Sequence, residues 1–390
     1  MNKAFIAAVL FTVFYSVDGL APKCTDCGGL GVCQTNGICR CYPARFSPTV
    51  NGTKMTHLCS RNIYQDNPTG VVVLRVVSAA ISFILMSLIL WRLFLEFRHK
   101  SVKVVDTQPG VRKVVKFSLI TDGFICFLMF LLSALDYWGL FNILPYGAYN
   151  AIYYFIDWLY VLLFTVMLLH WAEIYQVTMK SIKTRDMMKK VNSNYVGELT
   201  IEEVMTSLTF LQRFKIPFLA ITGASFIMWL ARTIGGLLIS NPFGWIVFFA
   251  FANAFYACVW LGCGVAFFIY GYRLIKLMPE TMSAKIKSIT SKMVIILILQ
   301  IINSVQIVAL NSAISTTAQS IYSRNSITFA IRIVVSFMIL EIYMPLGRIK
   351  VWFSTSLLRS STNGTGTSGD SKVKEVEVKA TPSSVSNMDE

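Results

Sequence analysis

Charged residues are scarce in this chain of 390 residues: they make up 14% of it, against about 25% in soluble domains. Apolar residues account for 55%. Such a chain has too little polar surface to cover a globule in water, so a soluble domain is excluded and lipid is predicted as its solvent. The net charge of +15 does not indicate nucleic-acid binding, because the basic residues lie in loops between apolar runs, where they set orientation.

Motifs of enzyme active sites are also missing. There is no His/Glu metal motif and no glycine-rich phosphate loop. Of the three histidines, only His170 lies within an apolar run, so a membrane hydrolase would have a single histidine to work with. We therefore predict no enzyme activity, no catalytic residue, no metal and no cofactor.

Seven apolar stretches are what the chain does have, each near the roughly 20 residues that a helix needs to cross the hydrocarbon core. We predict an all-α fold, a seven-helix transmembrane bundle over residues 70–347, preceded by a small disulfide-rich module. The predicted spans are 71–95, 114–136, 150–175, 214–238, 244–270, 293–313 and 326–346.

The connections between these spans alternate in charge. Lysine and arginine are frequent in 98–113, 177–212 and 273–287, but absent from 137–149 and 239–243. Because basic loops stay on the cytoplasmic side, we predict an extracellular or lumenal amino terminus. The tail, 348–390, is then cytoplasmic, and its Ser/Thr/Gly-rich and Lys/Glu/Val-rich composition predicts disorder.

The first residues look like a secretory signal peptide. Lys3 precedes an apolar run from Ala4 to Tyr15, and small residues follow around Gly19 and Ala21. The alternative is a first membrane anchor, but the run is too short to span a bilayer. We predict a signal peptide over 1–20, which independently places the following segment outside the cytosol.

Six of the nine cysteines are clustered directly after this leader. An even, dense cluster in a secreted segment predicts disulfides. The alternative is metal binding, since Cys24-x-x-Cys27 looks like half a zinc site, but the leader favours disulfides. Asn51-Gly52-Thr53 is a predicted glycosylation acceptor. The clustered cysteines are Cys24, Cys27, Cys33, Cys39, Cys41 and Cys59; the others, Cys126, Cys258 and Cys263, are predicted packing residues within spans.

The stretches Gly31-Val32-Cys33 and Gly37-Ile38-Cys39-Arg40-Cys41 resemble an EGF-like module, whose fourth and fifth cysteines are one residue apart. The module would cover residues 21–69. The resemblance implies the pairs Cys24–Cys33, Cys27–Cys39 and Cys41–Cys59. Pro22-Lys23 stands where calcium-binding modules carry acidic residues, so no calcium site is expected.

Ionisable residues within the spans are costly at bilayer depth, which makes them functional candidates. They are predicted to form two layers. In the outer layer, Asp157 is the expected counter-ion of Arg232 or Arg332; the inner acids are expected to pair with basic residues at the cytoplasmic edge such as Lys116 or Arg348. The outer layer comprises Arg75, Asp157, Arg232 and Arg332, and the inner layer Asp122, His170, Glu173 and Glu341.

Three interpretations of these residues stay open. They hold helices in register, or Asp157, Arg232, Arg332 and Arg75 frame an outer pocket for a small ligand, or the acids relay protons or ions. A gap between the two layers argues against a relay. The three-residue spacing of Gln300, Asn303 and Gln306 separately predicts a polar face of span six turned toward the bundle.

Seven spans with an outside amino terminus resemble the G-protein-coupled receptor architecture, without the rhodopsin-like motifs. The run Trp171-Ala172-Glu173-Ile174-Tyr175 is similar to the end of span three in the plant tobamovirus-multiplication family. That family is similar in turn to the lysosomal orphan receptor-like proteins of animals. The resemblance implies an endomembrane protein that recruits cytosolic partners such as small GTPases.

Three functions are compatible with these patterns, and each is a hypothesis. The first is a receptor that senses an unknown ligand on its outer side, in the plasma membrane or an endolysosomal membrane. The second is a scaffold or trafficking protein that recruits cytosolic proteins through the basic loops 98–113 and 177–212. The third is a transporter, which is disfavoured because the spans show no inverted repeat. The lipid bilayer is a partner in all three.

Overall fold

The computed structural model describes residues 27–42, 44–47, 49–50, 53–54, 58–98, 109–191, 215–277, 280–313 and 318–345. Seven long helices dominate these residues, and each is long and apolar enough to cross a membrane. The predicted helical bundle of a multi-pass membrane protein is thus confirmed. The helices are α1 Pro68–Arg98, α2 Pro109–Leu135, α3 Tyr146–Val191, α4 Lys215–Leu238, α5 Pro242–Leu277, α6 Glu280–Ala313 and α7 Ala318–Tyr343.

Local sequence explains where several helices begin. Pro68 and Pro242 occupy the first position of α1 and α5, where a missing N–H costs nothing because that group has no intrahelical acceptor. The asparagine before each proline caps the helix. Asn67 Oδ1 accepts from the Gly70 N–H at 2.9 Å, and Asn241 Oδ1 accepts from the Gly244 N–H at 3.1 Å.

The helix α3 is much longer than the apolar stretch of sequence from which its span was predicted. It runs for 46 residues, about 69 Å at 1.5 Å per residue, whereas the predicted span was 150–175. The helices α5 and α6 are likewise longer than predicted, with 36 and 34 residues. The apolar stretch measures the membrane crossing, but helical structure continues beyond it into polar sequence.

The helices α2 and α3 are the most buried of the seven, and α1 and α4 the least. A continuous apolar core joins all but α4 through fully buried side chains, among them Leu119, Phe164, Phe267 and Val335. The central position of α2 and α3 places their polar side chains between other helices rather than against lipid.

The cysteine-rich module packs on one end of the bundle, hereafter the outer end. It consists of short strands in three antiparallel pairs and a one-turn helix, Ile63–Asp66. The pairs are β1 Gly31–Cys33 with β2 Cys39–Cys41, β3 Arg45–Phe46 with β6 Arg61–Asn62, and β4 Thr49–Val50 with β5 Thr53–Lys54.

Two of the three predicted disulfides are confirmed, Cys27–Cys39 and Cys41–Cys59. Cys27 is therefore not a thiolate, which argues against the zinc alternative. Cys33 is also disulfide-bonded, but its predicted partner Cys24 lies outside the described residues. The predicted signal peptide over 1–20, the predicted glycosylation site Asn51 and the tail over 348–390 lie outside them too.

The three other cysteines are free. Cys126 and Cys263 are buried and pack within the core as predicted, while Cys258 is exposed on the surface of α5.

Candidate functional site

Asp157 of α3 is shared by two arginines from other helices. Its Oδ1 accepts from Arg332 Nη2 of α7 at 2.7 Å, and its Oδ2 lies 3.5 Å from Arg232 Nη1 of α4. The arginine side chains are 3% and 5% exposed, and that of Asp157 is 17% exposed. The predicted pairing is confirmed, except that Asp157 contacts both arginines rather than one of them. We call these three residues the outer cluster.

Aromatic rings and neutral oxygens complete the surroundings of the outer cluster. Arg332 lies over the ring of Tyr153 at 4.1 Å, and Arg232 over that of Tyr154 at 4.0 Å. Both tyrosines are one turn before Asp157 on α3, so they present their rings beside its carboxylate. The Asn253 Oδ1 accepts from Arg232 Nη2 at 3.3 Å. The outer cluster therefore holds two cations and one anion, a net charge of +1 in a buried place.

A cavity opens beside Arg332 between α2, α3 and α7. It has about 330 Å³ of empty space, part of it open to solvent, and admits little more than a water-sized group. Its walls are mainly apolar, with five aromatic rings among eleven lining residues, and Asp157 does not line it. The residues that matter for its chemistry are Ser133, Trp138, Tyr153, Asn325, Phe329 and Arg332.

The backbone bends sharply where it covers the cavity. Trp138, in the short 3₁₀ turn Tyr137–Gly139, has a φ of 57°, in the left-handed region that is unfavourable for a bulky residue. Such strain persists only where the surrounding structure holds it, and it is concentrated at functional sites.

The structure places Arg75 outside the outer cluster. Its guanidinium donates to the carbonyls of Ser133 and Ala134 and lies 4.4 Å over the ring of Phe141. The last carbonyls of a helix have no intrahelical donor, and a cation there also complements the helix dipole. Arg75 thus caps the end of α2 behind the cavity wall instead of facing a ligand.

The cysteine-rich module holds the turn that covers the cavity. Arg45 donates to the carbonyls of Gly139 and Leu140, at 3.2 and 3.1 Å, and to Asn142 Oδ1 at 2.6 Å. Burial lowers the pKa of Arg45, while the nearby Asp136 opposes that shift. In the same region Ala44, Ile63 and Val71 form a small apolar cluster with Tyr137, Trp138 and Leu140.

A second set of contacts joins the module to the outer ends of α3, α4 and α5. Arg40 donates to the Gly236 carbonyl at 2.8 Å and lies 3.7 Å over the Trp245 ring. Burial lowers its pKa, and nearby tyrosines oppose the shift. Tyr42 stacks on Tyr146 at the start of α3, with 3.6 Å between ring centroids. Sequence reasoning missed this docking, since nothing in the module's spacing indicates which carbonyls its arginines reach.

In the inner layer, Glu341 pairs with a basic residue at the inner edge, as predicted. That residue is Lys292 of the neighbouring α6, at 3.1 Å. Lys116 lies 4.8 Å over the ring of Phe97, and Arg348 is outside the described residues. Sequence reasoning also missed a buried pair within α1, Arg92 and Glu96 at 2.8 Å, although their spacing of four residues was a signal.

The other inner residues, Asp122, His170 and Glu173, are all buried. Within the described part of the chain, neither carboxylate oxygen of Asp122 has a hydrogen-bond partner. Ser336 is its neighbour.

Hydroxyl groups lie between the two layers. Tyr160 donates to the Arg332 carbonyl at 2.9 Å and is 2.9 Å from Ser336 Oγ. Since Ser336 neighbours Asp122, polar groups run from the outer cluster toward the inner layer.

The predicted polar face of α6 is confirmed. Gln300 and Asn303 are buried, and Gln306 Nε2 donates to Asn303 Oδ1 at 3.2 Å and to Thr328 Oγ1 of α7 at 2.9 Å. This face joins two helices, as amides do within membranes.

The chain matches no family model, no curated protein and no solved structure. The resemblances to EGF-like modules and to seven-span receptor-like families therefore stay predictions. Function has to rest on the geometry of the outer cluster and the cavity.

Proposed function

We propose that this protein is a seven-span receptor-like membrane protein that binds a ligand at its outer end and couples that binding to cytosolic partners. The observation that carries the proposal is the buried outer cluster beside an aromatic-walled cavity. Ligand sites are mostly apolar concavities with a few convergent polar groups, and ionisable residues at membrane depth indicate function.

The outer end faces the extracellular space or an organelle lumen in this proposal. The predicted signal peptide and basic connections support that orientation, and the two disulfides fit an oxidising compartment. The same arguments favour an EGF-like module and a glycosylated Asn51. The membrane is the plasma membrane or that of an endolysosome.

Arg332 links the cavity to the helix packing. It lines the cavity and also holds Asp157 of α3, so a ligand that contacts it competes with or reinforces the contact between α3 and α7. A ligand shifts a conformational equilibrium when it binds two arrangements differently. Because α3 is continuous to Val191, a movement of its outer half reaches the inner end.

Proximity labelling from a fusion at the carboxyl terminus tests this proposal, with serum added to serum-starved cells as the ligand source. We expect serum to change the set of labelled cytosolic proteins, and Arg332→Gln or Ser133→Ala to abolish the change. Ser82→Ala, another fully buried serine but on α1 and away from the cavity, serves as control. An unchanged labelled set, or an equal response in the cavity variants, contradicts the proposal.

A membrane scaffold that recruits cytosolic proteins, such as small GTPases, is the second candidate. The length of α3 favours it, since about 69 Å exceeds the roughly 30 Å hydrocarbon core and carries the exposed Lys180 and Lys183 beyond it. For a scaffold, Lys180→Gln with Lys183→Gln reduces the labelled set with or without serum. Partners that are unaffected by these substitutions count against a scaffold.

A further inference from the structure

We infer that the cavity beside Arg332 is a binding site for a small monovalent anion, a halide or a carboxylate group. This inference names the ligand class of the proposed ligand site and so rests on the proposed function. Three observations carry it: two buried donors without acceptors, an uncompensated charge, and the size of the space.

Two residues that line the cavity carry buried hydrogen-bond donors without an acceptor. Ser133 Oγ and Arg332 Nε both have no partner among the described residues. Ser133 is 1% exposed and Arg332 is 2% exposed, so bulk water does not satisfy them. Buried donors in folded proteins are almost always paired, and each exception calls for an occupant such as a water or an ion. Here two such donors belong to residues that line one space.

The charge of the outer cluster selects an anion over a neutral occupant. Asp157 is the only carboxylate that reaches Arg232 or Arg332 in the described part of the chain. Asp136, the next carboxylate along, accepts from the backbone N–H groups of Phe141 and Leu144 and faces Arg45. One positive charge is left over, and a buried charge without a counter-ion is costly. A water molecule in the cavity would accept these hydrogen bonds but would not neutralise the excess positive charge.

Size and valence restrict the anion further. The space admits little more than a water-sized group, so an anion with a bulky body has to keep that body in the open part of the cavity. A single excess charge matches a monoanion, whereas a dianion leaves a new imbalance. The aromatic rings of Trp138, Tyr153 and Phe329 line the cavity, and such apolar walls strengthen the attraction between Arg332 and an anion.

The melting temperature, Tm, of the purified full chain in lipid nanodiscs tests this inference. Sodium chloride and sodium acetate are compared with sodium gluconate at constant ionic strength, gluconate being too bulky to enter. We expect Tm to rise with the logarithm of the anion concentration, by about 2–4 °C at several-fold Kd. A rise in chloride alone identifies a halide site, and a rise in acetate identifies a carboxylate site.

Ser133→Ala removes one of the two donors and is the decisive variant. In gluconate its Tm should equal or exceed that of the unaltered protein, since the substitution deletes an unsatisfied hydroxyl. Its response to the anion should weaken at least threefold in apparent Kd. Ser82→Ala deletes an unpartnered buried hydroxyl elsewhere, and Arg61→Gln removes an exposed outer charge; neither should alter the response.

Two results overturn the inference: a Tm that is the same in all three salts, which means that the cavity holds water, and an anion response that Ser133→Ala leaves unchanged. Failure of the proposed function looks different. If the anion binds but serum does not change the labelling, the receptor proposal is wrong and the anion site stands. If serum changes the labelling through Arg332 and no anion binds, the receptor proposal stands and the anion site is wrong.

Discussion

The outer and inner halves of the bundle bury charge in different ways. In the inner half the described ion pairs are balanced, Arg92 with Glu96 on one helix and Lys292 with Glu341 between neighbours. In the outer half one carboxylate serves two arginines from different helices, next to a cavity and beneath a disulfide-bonded module. Each described inner pair thus matches one cation with one anion, whereas the outer cluster has one cation more than it has anions.

The two halves also differ in how they are covered. The outer end is covered by the module through Arg40, which donates to a carbonyl in the last turn of α4, and Arg45, which donates to carbonyls between α2 and α3. The inner ends of α3, α5 and α6 project past the membrane span instead. The covering module and the excess positive charge support the proposed ligand binding in the outer half. The projecting helix ends support the proposed contacts with cytosolic partners at the inner half.

Removing the shared carboxylate should give the largest effect. Asp157→Asn leaves two buried arginines without a counter-ion, so we expect it to lower the free energy of unfolding by about 3–5 kcal/mol. Glu341→Gln removes one partner of a pair whose side chains are 24% and 26% exposed, and we expect about 0–1 kcal/mol. Thermal unfolding of both variants in nanodiscs provides the measurement. Equal losses of unfolding free energy in the two variants would show that the two halves do not differ in how they bury charge.

Breaking a disulfide of the module should have the next largest effect, and that effect should be confined to the outer end. Cys59→Ser breaks the bridge to Cys41 and is expected to cost about 2–5 kcal/mol of module stability. Hydrogen exchange should then increase over residues 137–146 and stay the same at the inner ends. Cys258→Ser, at a free and exposed cysteine, is the matched control. Faster exchange throughout the bundle would show that the module is not a local cover.

A smaller effect is expected from crowding the inner contact between α5 and α6. A Cβ at Gly271 would overlap the side chain of Thr290, so Gly271→Ala should cost about 1–3 kcal/mol. Gly262→Ala on the same helix meets nothing within 4 Å and should be neutral or slightly stabilising. Unfolding measurements compare the two. The anion response should be the same in both, and its loss in Gly271→Ala would mean that the inner half helps to build the outer site.

A still smaller effect than that of Gly271→Ala is expected from Tyr160, which lies between the halves. Tyr160→Phe removes the bonds to the Arg332 carbonyl and Ser336, at about 0.5–1.5 kcal/mol. A double-mutant cycle with Ser336→Ala measures how strongly the two side chains interact. Additive losses would show that these hydroxyls do not connect the two layers.

Sequence reasoning succeeded where the cost of burying polar groups decides the structure. The seven spans are predicted by apolar length, and the pairing of Asp157 with arginines is predicted by the scarcity of counter-ions within the membrane. The disulfides Cys27–Cys39 and Cys41–Cys59 were implied by a resemblance and are confirmed.

The features that sequence reasoning did not predict depend on tertiary placement. Arg75 was grouped with the outer cluster by depth alone, but it faces the carbonyls at the end of α2. Arg40 and Arg45 dock by donating to backbone carbonyl oxygens. Because every residue has such a carbonyl, the sequence does not indicate which ones these arginines contact. The length of α3 was underestimated because hydropathy reports where lipid ends and not where a helix ends.

Arg232→Gln tests the central claim most directly, because it leaves Asp157 and Arg332 as a balanced pair and does not touch the cavity wall. The measurement is the Tm of this variant in chloride, acetate and gluconate. If the excess charge exists for an anion, the anion response weakens, while the Tm in gluconate falls by less than in Asp157→Asn. An anion response equal to that of the unaltered protein would contradict the account.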